Sequence, residues 1–366
     1  MTTPLTPQRS TSRRAQRTLA RAASDRRLLT GAAATAGAAL AAGVARELIS
    51  REHRDDGADP ARVYRIRRGE KAAEAVCRIV TGRLDDALEQ LREHLDDDVA
   101  GAIHETRKDL KKARAVLRLV RARMDDEVYR RDNARLRDAA RALAGLRDAE
   151  AKVGTIEALE ERFGDELHPE MIELKHELEA DRDAVGTADA DSDSPIRVAA
   201  RQASDAIDAV RESVDSWSFS KSGWKLLEPG VERSYARGRN RFSDVRSEPS
   251  PENIHAWRKR VKDLWYDLRL LRNSWPDVMG EMGDGAHDLS DLLGDHHDLT
   301  VLAEDIHSRD RFSADGDELA ALMGVIESRR EELLEAAVPV GERLYAESPK
   351  DFTKRMRAYW RAWRPG

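Results

Sequence analysis

The sequence carries one basic helical segment twice, and this repetition constrains the fold more than any other feature. Ile103-His104 opens the first copy, and Ile254-His255 opens the second copy 151 residues later. When the two histidines are aligned, five further cations match: Arg107 with Arg258, Lys108 with Lys259, Lys111 with Lys262, Arg118 with Arg269, and Arg121 with Arg272. Agreement at six positions in the same order predicts an internal duplication.

A second motif follows each copy at nearly the same distance. Residues 143–148 read LAGLRD and residues 293–298 read LGDHHD, at an offset of 150 residues. The motif therefore extends the predicted repeat beyond the basic segments and identifies a matching turn in each half.

The periodicity within each copy is helical. At about 100° per residue, the cations of the first copy fall on one side of a helix, opposite Leu110, Ala113, Val116, Leu117 and Val120. The second copy repeats this pattern with Val261, Leu264, Leu268 and Leu271 on its apolar side. Charged residues make up 36% of the chain and aromatic residues only 5%, which favours long, surface-charged helices over sheets. We predict an all-α fold.

Composition divides the chain into four segments. Residues 1–60 form a basic, Ala-rich N-terminal extension, and residues 186–195 form a polar linker rich in Asp, Ser and Ala. The two repeated halves are then residues 61–185 and 196–366.

Three interpretations compete for residues 28–45, a stretch of 18 residues without a charge that follows a basic flank. They are a marginal membrane span, a twin-arginine export signal starting near Arg26 and Arg27, and an Ala-rich helix packed on protein. The single cysteine, Cys77, cannot form an intramolecular disulfide, which favours a reducing compartment. We expect a cytoplasmic protein, with the anchored and exported forms as alternatives.

The cationic sides of the two segments predict a binding surface for an anion. The net charge of -6 hides this pattern, because acidic runs lie apart from the basic segments. Like charges three and four residues apart repel one another on a helix, and a bound anion relieves that repulsion. The mixture of Arg and Lys suits a phosphate chain without a fixed register, whereas the alternative is a charged face exposed to water. The candidate residues are His104, Arg107, Lys108, Lys111, Lys112, Arg114, Arg118 and Arg121, and His255, Arg258, Lys259, Lys262, Arg269 and Arg272.

The two histidines have two interpretations. A protonated imidazole at His104 or His255 donates a hydrogen bond to phosphate, whereas a neutral one at the start of a helix serves as a structural cap.

The doubled His-x-x-Arg-Lys segment, each followed by its Leu-rich turn with Asp, resembles the CHAD domain, the conserved histidine α-helical domain. The strings YRIRRGE (residues 64–70), YARGR (residues 235–239) and HAWRKRVKDLWY (residues 255–266) resemble further segments of that family. The resemblance covers about Val63 to Trp363, and the sequence departs from the family pattern at Ala144 and Trp265.

The resemblance implies two helical bundles related by pseudo-twofold symmetry. It also implies a shared basic surface or pore that binds inorganic polyphosphate, with no catalysis, no cofactor and no metal. Arg237 and Arg239, in the YARGR string, join the candidate binding residues on this basis.

Two enzyme classes are weaker alternatives. An HD-type metal phosphohydrolase would use His287, His296, His297, Asp298 and Asp305 as metal ligands. A CYTH triphosphatase would use a strand-borne acidic motif, for which the nearest string is DAEAK at residues 148–152.

Nucleic acid is the alternative partner, because any cationic groove attracts phosphates. The C-terminal segment interleaves cations with aromatic residues, as base-stacking surfaces do. If Trp360 and Trp363 pack the last helix onto the protein instead, the segment supplies only cations.

Overall fold

The computed structural model describes residues 62–163, 169–187, 194–309 and 317–364. Throughout these ranges the regular structure is helical, and Met124 and Phe219 form one isolated antiparallel bridge. The predicted all-α class is confirmed.

Eleven α-helices make up the described part of the chain. They are α1 (Ala72–Glu89), α2 (Val99–Val120), α3 (Asp126–Ala142), α4 (Gly145–Phe163), α5 (Pro169–Thr187), α6 (Pro195–Val214), α7 (Trp224–Ser247), α8 (Pro251–Leu270), α9 (Pro276–Ser308), α10 (Asp317–Leu344) and α11 (Pro349–Trp363). The two predicted basic segments correspond to α2 and α8.

Local sequence explains where these two helices begin. Asp98 precedes α2, and its carboxylate accepts a hydrogen bond from the backbone N–H of Gly101 at 2.9 Å. Ser250 precedes α8, where its hydroxyl accepts from the N–H of Asn253 at 3.3 Å and Pro251 supplies the first helical residue. Each cap satisfies a backbone donor that has no partner inside its helix.

The predicted apolar sides of α2 and α8 are buried, which confirms the assignment of these apolar sides. Each helix packs against α7, and α8 also packs along α9. The side chains that were predicted to face the core are each at most 4% exposed: Leu110, Ala113, Val116, Leu117, Val120, Val261, Leu264, Leu268 and Leu271.

The apolar core forms two clusters that do not follow the two halves of the sequence. The main cluster takes residues from α1, α2, α3, α6, α7, α8 and α11, together with parts of α9 and α10. The second cluster joins α4 and α5 to the later part of α9 and to α10, for example through Ile156, Leu174, Leu302 and Ile326. Each cluster therefore contains helices from both halves. The internal repeat itself stays a prediction.

Close contact between α2 and α7 depends on a glycine. A Cβ atom at Gly230 would lie 1.9 Å from the backbone oxygen of Leu119, well inside contact distance. The absence of a side chain at this position lets the two helix backbones approach each other, and this approach sets the geometry of the candidate site described below.

Several sequence predictions fall outside the described residues. The extension at residues 1–60, including residues 28–45, lies there, as does most of the predicted linker, residues 188–193. Among the described helices, none is both long and apolar enough to cross a bilayer. The four-segment division stays a prediction.

The variant Gly230→Ala should destabilise the protein by about 1–3 kcal/mol, because the added methyl group forces α2 and α7 apart. Gly154→Ala is the matched control, since a Cβ at that helical position meets no atom within 4 Å. The control should be neutral or gain about 0.4–1 kcal/mol from the lower entropy of the unfolded chain. Urea unfolding measures both variants, and equal effects would contradict the close-approach explanation.

Candidate functional site

Helices α2 and α8 are joined by ion pairs between their basic segments. The Nη2 atom of Arg118 on α2 lies 2.7 Å from Oδ1 of Asp263 on α8. The other carboxylate oxygen of Asp263 lies 2.8 Å from Nη1 of Arg260. One carboxylate thus binds a guanidinium group of each basic helix through charge-assisted hydrogen bonds.

Helix α7 completes a cleft around these ion pairs. Arg233 and Arg237 lie one turn apart on α7 and face the cleft together with residues of α2 and α8. We call this space the arginine cleft, and its charged lining residues are Arg118, Arg121, Arg233, Arg237, Asp263 and Asp267. Three guanidinium groups on α2 and α7, and that of Arg121 in the turn directly after α2, therefore surround one space.

Two contacts fix the arginines at the end of α2. The guanidinium group of Arg121 lies over the ring of Tyr129, 5.1 Å from its centroid. The Nη2 atom of Arg233 donates a hydrogen bond to the backbone oxygen of Arg118, which ties α7 to α2. Arg237 is exposed, and in the described part of the chain no ion pair joins it to a carboxylate.

Mutual repulsion is visible in the pKa values around the cleft. Burial, followed by the charges of Arg118 and Arg137, lowers the pKa of Arg114 to about 10. The pKa of Arg233 is also lowered, first by burial and then by Arg121. Burial is thus the main cause of both shifts, and the neighbouring arginines add to it.

The second carboxyl group of the cleft differs from the first. Asp267 is only 6% exposed, and burial raises its pKa to about 8. Asp263 adds to that increase, whereas Ser234, Arg118 and Arg233 oppose it. At pH 7 Asp267 is therefore mostly protonated, and the ionised counter-charge of the cleft comes from Asp263.

Three candidates on α2 form contacts within the protein. Nη1 of Arg107 donates to the backbone oxygens of Leu143 and Ala144, each at 3.0 Å, so it caps the end of α3. Nζ of Lys108 lies 3.1 Å from Oε2 of Glu105. Nε of Arg114 donates to the side-chain oxygen of Asn133 at 3.2 Å.

Lys112 and Lys111 differ in environment despite being adjacent. Lys112 was predicted on the exposed cationic side, but it is 1% exposed and its Nζ atom lies 3.3 Å from Oδ1 of Asp109. The same carboxylate oxygen binds Nη1 of Arg83 from α1 at 3.0 Å. Lys112 is thus part of a buried ion-pair network because α1 covers that side of α2, whereas Lys111 is exposed.

The histidine of the first copy lies among acidic groups. His104 has a half-exposed side chain, and its Nε2 atom is 3.9 Å from Oε1 of Glu105. It lines a depression together with His94, Asp97 and Asp98. The first histidine therefore has carboxylates as neighbours where the sequence predicted cations.

The histidine of the second copy has the predicted cationic neighbours. The rings of His255 and His297 stack with centroids 4.0 Å apart. Burial is the largest cause that lowers the pKa of His255 to about 4, followed by His297, Lys259 and Arg258. Burial also lowers the pKa of His297 to about 4. Both imidazoles are therefore neutral at pH 7.

The remaining candidates of α8 lie along its length. The guanidinium group of Arg258 lies against α9 beside Gly294, Lys259 is exposed, and Lys262 is half-buried. Near the end of α8 the guanidinium groups of Arg269 and Arg272 are close enough to lower the pKa of Arg65, after the larger effect of burial.

Aromatic rings support the end of α8. Arg269 lies 5.1 Å from the ring centroid of Trp265 and 5.7 Å from that of Tyr64. On α7, Nε of Arg239 donates to the backbone oxygen of Tyr345 at 3.3 Å. The structure therefore brings Arg118, Arg121 and Arg237 together at the cleft and distributes the other candidates around it.

In the part of the chain that the structure describes, residues that the two alternative enzyme classes would use do not form the sites that those enzymes need. Nδ1 of His287 lies 2.7 Å from Oδ2 of Asp291, and Asp305 forms ion pairs with Lys152 and Arg309. No group of three or more His, Cys, Asp or Glu residues in the described ranges has the arrangement of a metal site. The DAEAK string of the triphosphatase alternative lies in helix α4 rather than in a strand.

The aromatic residues of α11 pack inward, which confirms the packing interpretation of the C-terminal segment. Trp360 is 5% exposed and contacts Trp224 and Trp363 with centroids 6.0 Å and 5.6 Å apart. The guanidinium group of Arg364 covers the Trp360 ring at 4.3 Å. These rings are therefore not available as a platform for bases.

Sequence analysis missed two arginines of the site, Arg233 and Arg260. Arg233 lies four residues before Arg237, so the helical spacing of α7 indicated a shared face. Arg260 follows Arg258 and Lys259 directly, but its counterpart in the first copy is Asp109, so the repeat alignment did not select it.

Comparison with known proteins identifies the family. The sequence profile of the CHAD domain matches residues 78–307, more than half of the chain. The solved structure of PptA from Streptomyces chartreusis is similar in fold, with a TM-score of 0.50 at 13% sequence identity, over 76% of this chain and 100% of that chain. No curated protein matches the chain in sequence. The profile match, together with the helical fold, shows that this chain belongs to the CHAD domain family.

Proposed function

We propose that the chain binds inorganic polyphosphate without converting it, through the arginine cleft and the cations that flank it. The observation that carries this proposal is the convergence of four guanidinium groups onto one space, from α2, from the turn that follows it and from α7: Arg118, Arg121, Arg233 and Arg237. Family membership supports the same proposal.

The charge balance of the cleft favours an anionic ligand. Arg260 adds a fifth guanidinium group through its ion pair with Asp263, and Asp267 is largely neutral at pH 7. Burial, and then the charges of Arg237 and Arg118, lower the pKa of Arg260 against the opposing effect of Asp263. A phosphate chain would supply the missing negative charge, and guanidinium groups bind phosphate oxygens in pairs.

The environment of the cleft favours polyphosphate over nucleic acid. Proteins that bind single strands stack the bases on exposed aromatic rings. Among the described residues only Ile172 and Trp275 are large, exposed hydrophobic side chains, and neither lines the cleft. The cleft thus offers groups for phosphate and no platform for bases.

Binding to long-chain polyphosphate should exceed binding to DNA and RNA of matched total charge, because only the phosphates are recognised. Competition at two salt concentrations measures this preference, since counterion release weakens each complex as salt rises. Release of orthophosphate is assayed in the same samples and should stay at the level of the buffer. Tighter binding to random RNA would indicate that nucleic acid is the ligand. Release of orthophosphate would contradict the proposal that the chain does not convert polyphosphate.

The variants Arg121→Gln and Arg237→Gln should each weaken polyphosphate binding and lower the slope of log affinity against log salt by about one. Both side chains are exposed, so the melting temperature should stay nearly constant. Arg182→Gln on α5 is the matched control. It removes the same charge from a helix that does not line the cleft, where Arg182 pairs with Asp183. Equal losses in all three variants would indicate a general effect of net charge.

Affinity for polyphosphate should rise as the pH falls below about 6.5, the ordinary range of imidazole. His255 and His297 have pKa values of about 4 in the free protein, and a nearby phosphate chain should raise both. Binding then takes up protons at pH values between the free and the bound pKa.

The double variant His255→Gln with His297→Gln should flatten this pH dependence, because an amide does not change charge. His307→Gln, an exposed position further along α9, is the control. Affinities measured at fixed ionic strength give the slopes, and an unchanged slope in the double variant would assign both rings to packing alone.

A further inference from the structure

Asp263 occupies the position in the arginine cleft where an incoming anion would make its strongest contacts. Its two carboxylate oxygens bind Arg118 at 2.7 Å and Arg260 at 2.8 Å, so one acidic side chain engages both basic helices. The three side chains are only 18–27% exposed, so water screens these ion pairs incompletely.

The guanidinium donors that Asp263 engages are those that an anion would use. Nη2 of Arg118 and Nη1 of Arg260 each bind one oxygen of its carboxylate. Guanidinium groups bind phosphate oxygens through the same N–H donors. A phosphate that binds both arginines through these donors must therefore displace Asp263.

The two basic helices differ at this point of the repeat. The counterparts of Arg260 and Asp263 in the first copy are Asp109 and Lys112, with the order of charges reversed. The Asp109–Lys112 pair is buried under α1, whereas Asp263 faces the cleft. The reversal therefore places a carboxylate, instead of a lysine, among the arginines that face the ligand.

We propose that Asp263 is an internal competing anion that sets the minimum affinity an external phosphate must reach. The proposal deepens the polyphosphate-binding function and rests on it. Displacement of Asp263 costs the same free energy for every ligand of the cleft. Weak ligands such as orthophosphate are thereby excluded at the concentrations where they occur, whereas a long chain with many flanking contacts stays bound.

The variant Asp263→Asn tests this role with tripolyphosphate and orthophosphate as probes. It keeps the shape of the side chain and removes the competing charge, so affinity for tripolyphosphate should rise roughly tenfold or more. Orthophosphate should begin to bind in the millimolar range and should raise the melting temperature in a saturable manner. Asp263→Glu retains the charge and should keep affinities for both small anions low.

Two controls separate this role from other effects. Asp183→Asn removes the same charge from an exposed ion pair with Arg182 and should leave anion binding unchanged. Asp263→Asn loses ion pairs and should melt at a lower temperature, so all affinities are measured well below its melting transition. The rise in melting temperature with added phosphate reports binding even in a less stable variant.

The outcomes distinguish this inference from the function on which it rests. Unchanged or weaker tripolyphosphate binding in Asp263→Asn, or an equal gain in Asp183→Asn, would overturn the role of Asp263. Failure of the wild-type protein to bind long chains would overturn the proposed function itself. In that case, tighter binding of small anions by Asp263→Asn, without the same gain in Asp183→Asn, would still support the competing-anion role.

Discussion

Like charges can be packed side by side only when counter-charges lie between them, and this constraint governs the arrangement of the two basic helices. Helix α2 is balanced on its buried side by Asp109, which binds Arg83 and Lys112. Helix α8 is balanced by Asp263 at its contact with Arg118. Removing one partner of such a pair leaves a poorly solvated charge, so these carboxylates stabilise both basic helices.

The sequence predicts the helices and their apolar faces well, because helical periodicity alone determines which side chains share a side. The sequence does not reveal which neighbouring helix covers the edge of a helical face. Lys112 shows this limit, since its angle on α2 placed it with the cations, but α1 covers it and Arg83 shares its carboxylate partner. The arginine cleft was predictable only in part for the same reason. Arg233 and Arg260 join it through the packing of α7 against α2 and α8, which no single helix encodes.

The two histidines show that equal sequence positions do not give equal environments. His104 and His255 match in the repeat, yet His104 is half-exposed beside Glu105 and His255 stacks on His297. The cations beside His255 lower the pKa of its imidazole. For His255 burial is the larger cause, and burial depends on α9, whose LGDHHD motif supplies the stacking ring. The predicted turn at residues 293–298 is wrong, because these residues lie inside the continuous helix α9, whereas residues 143 and 144 do separate α3 from α4. The two copies of this motif therefore differ in structure.

The second apolar cluster has a consequence for the synthesis of the chain on the ribosome. Lys152 on α4 pairs with Asp305 on α9, so the partner of the α4 and α5 helices is made 153 residues later. At about 5–20 residues per second, this helix follows roughly 8 to 30 seconds after α4. During that interval α4 and α5 can pack only on each other, without the residues of α9 and α10 that complete their apolar cluster. Apolar surface that stays exposed while the chain is incomplete favours aggregation.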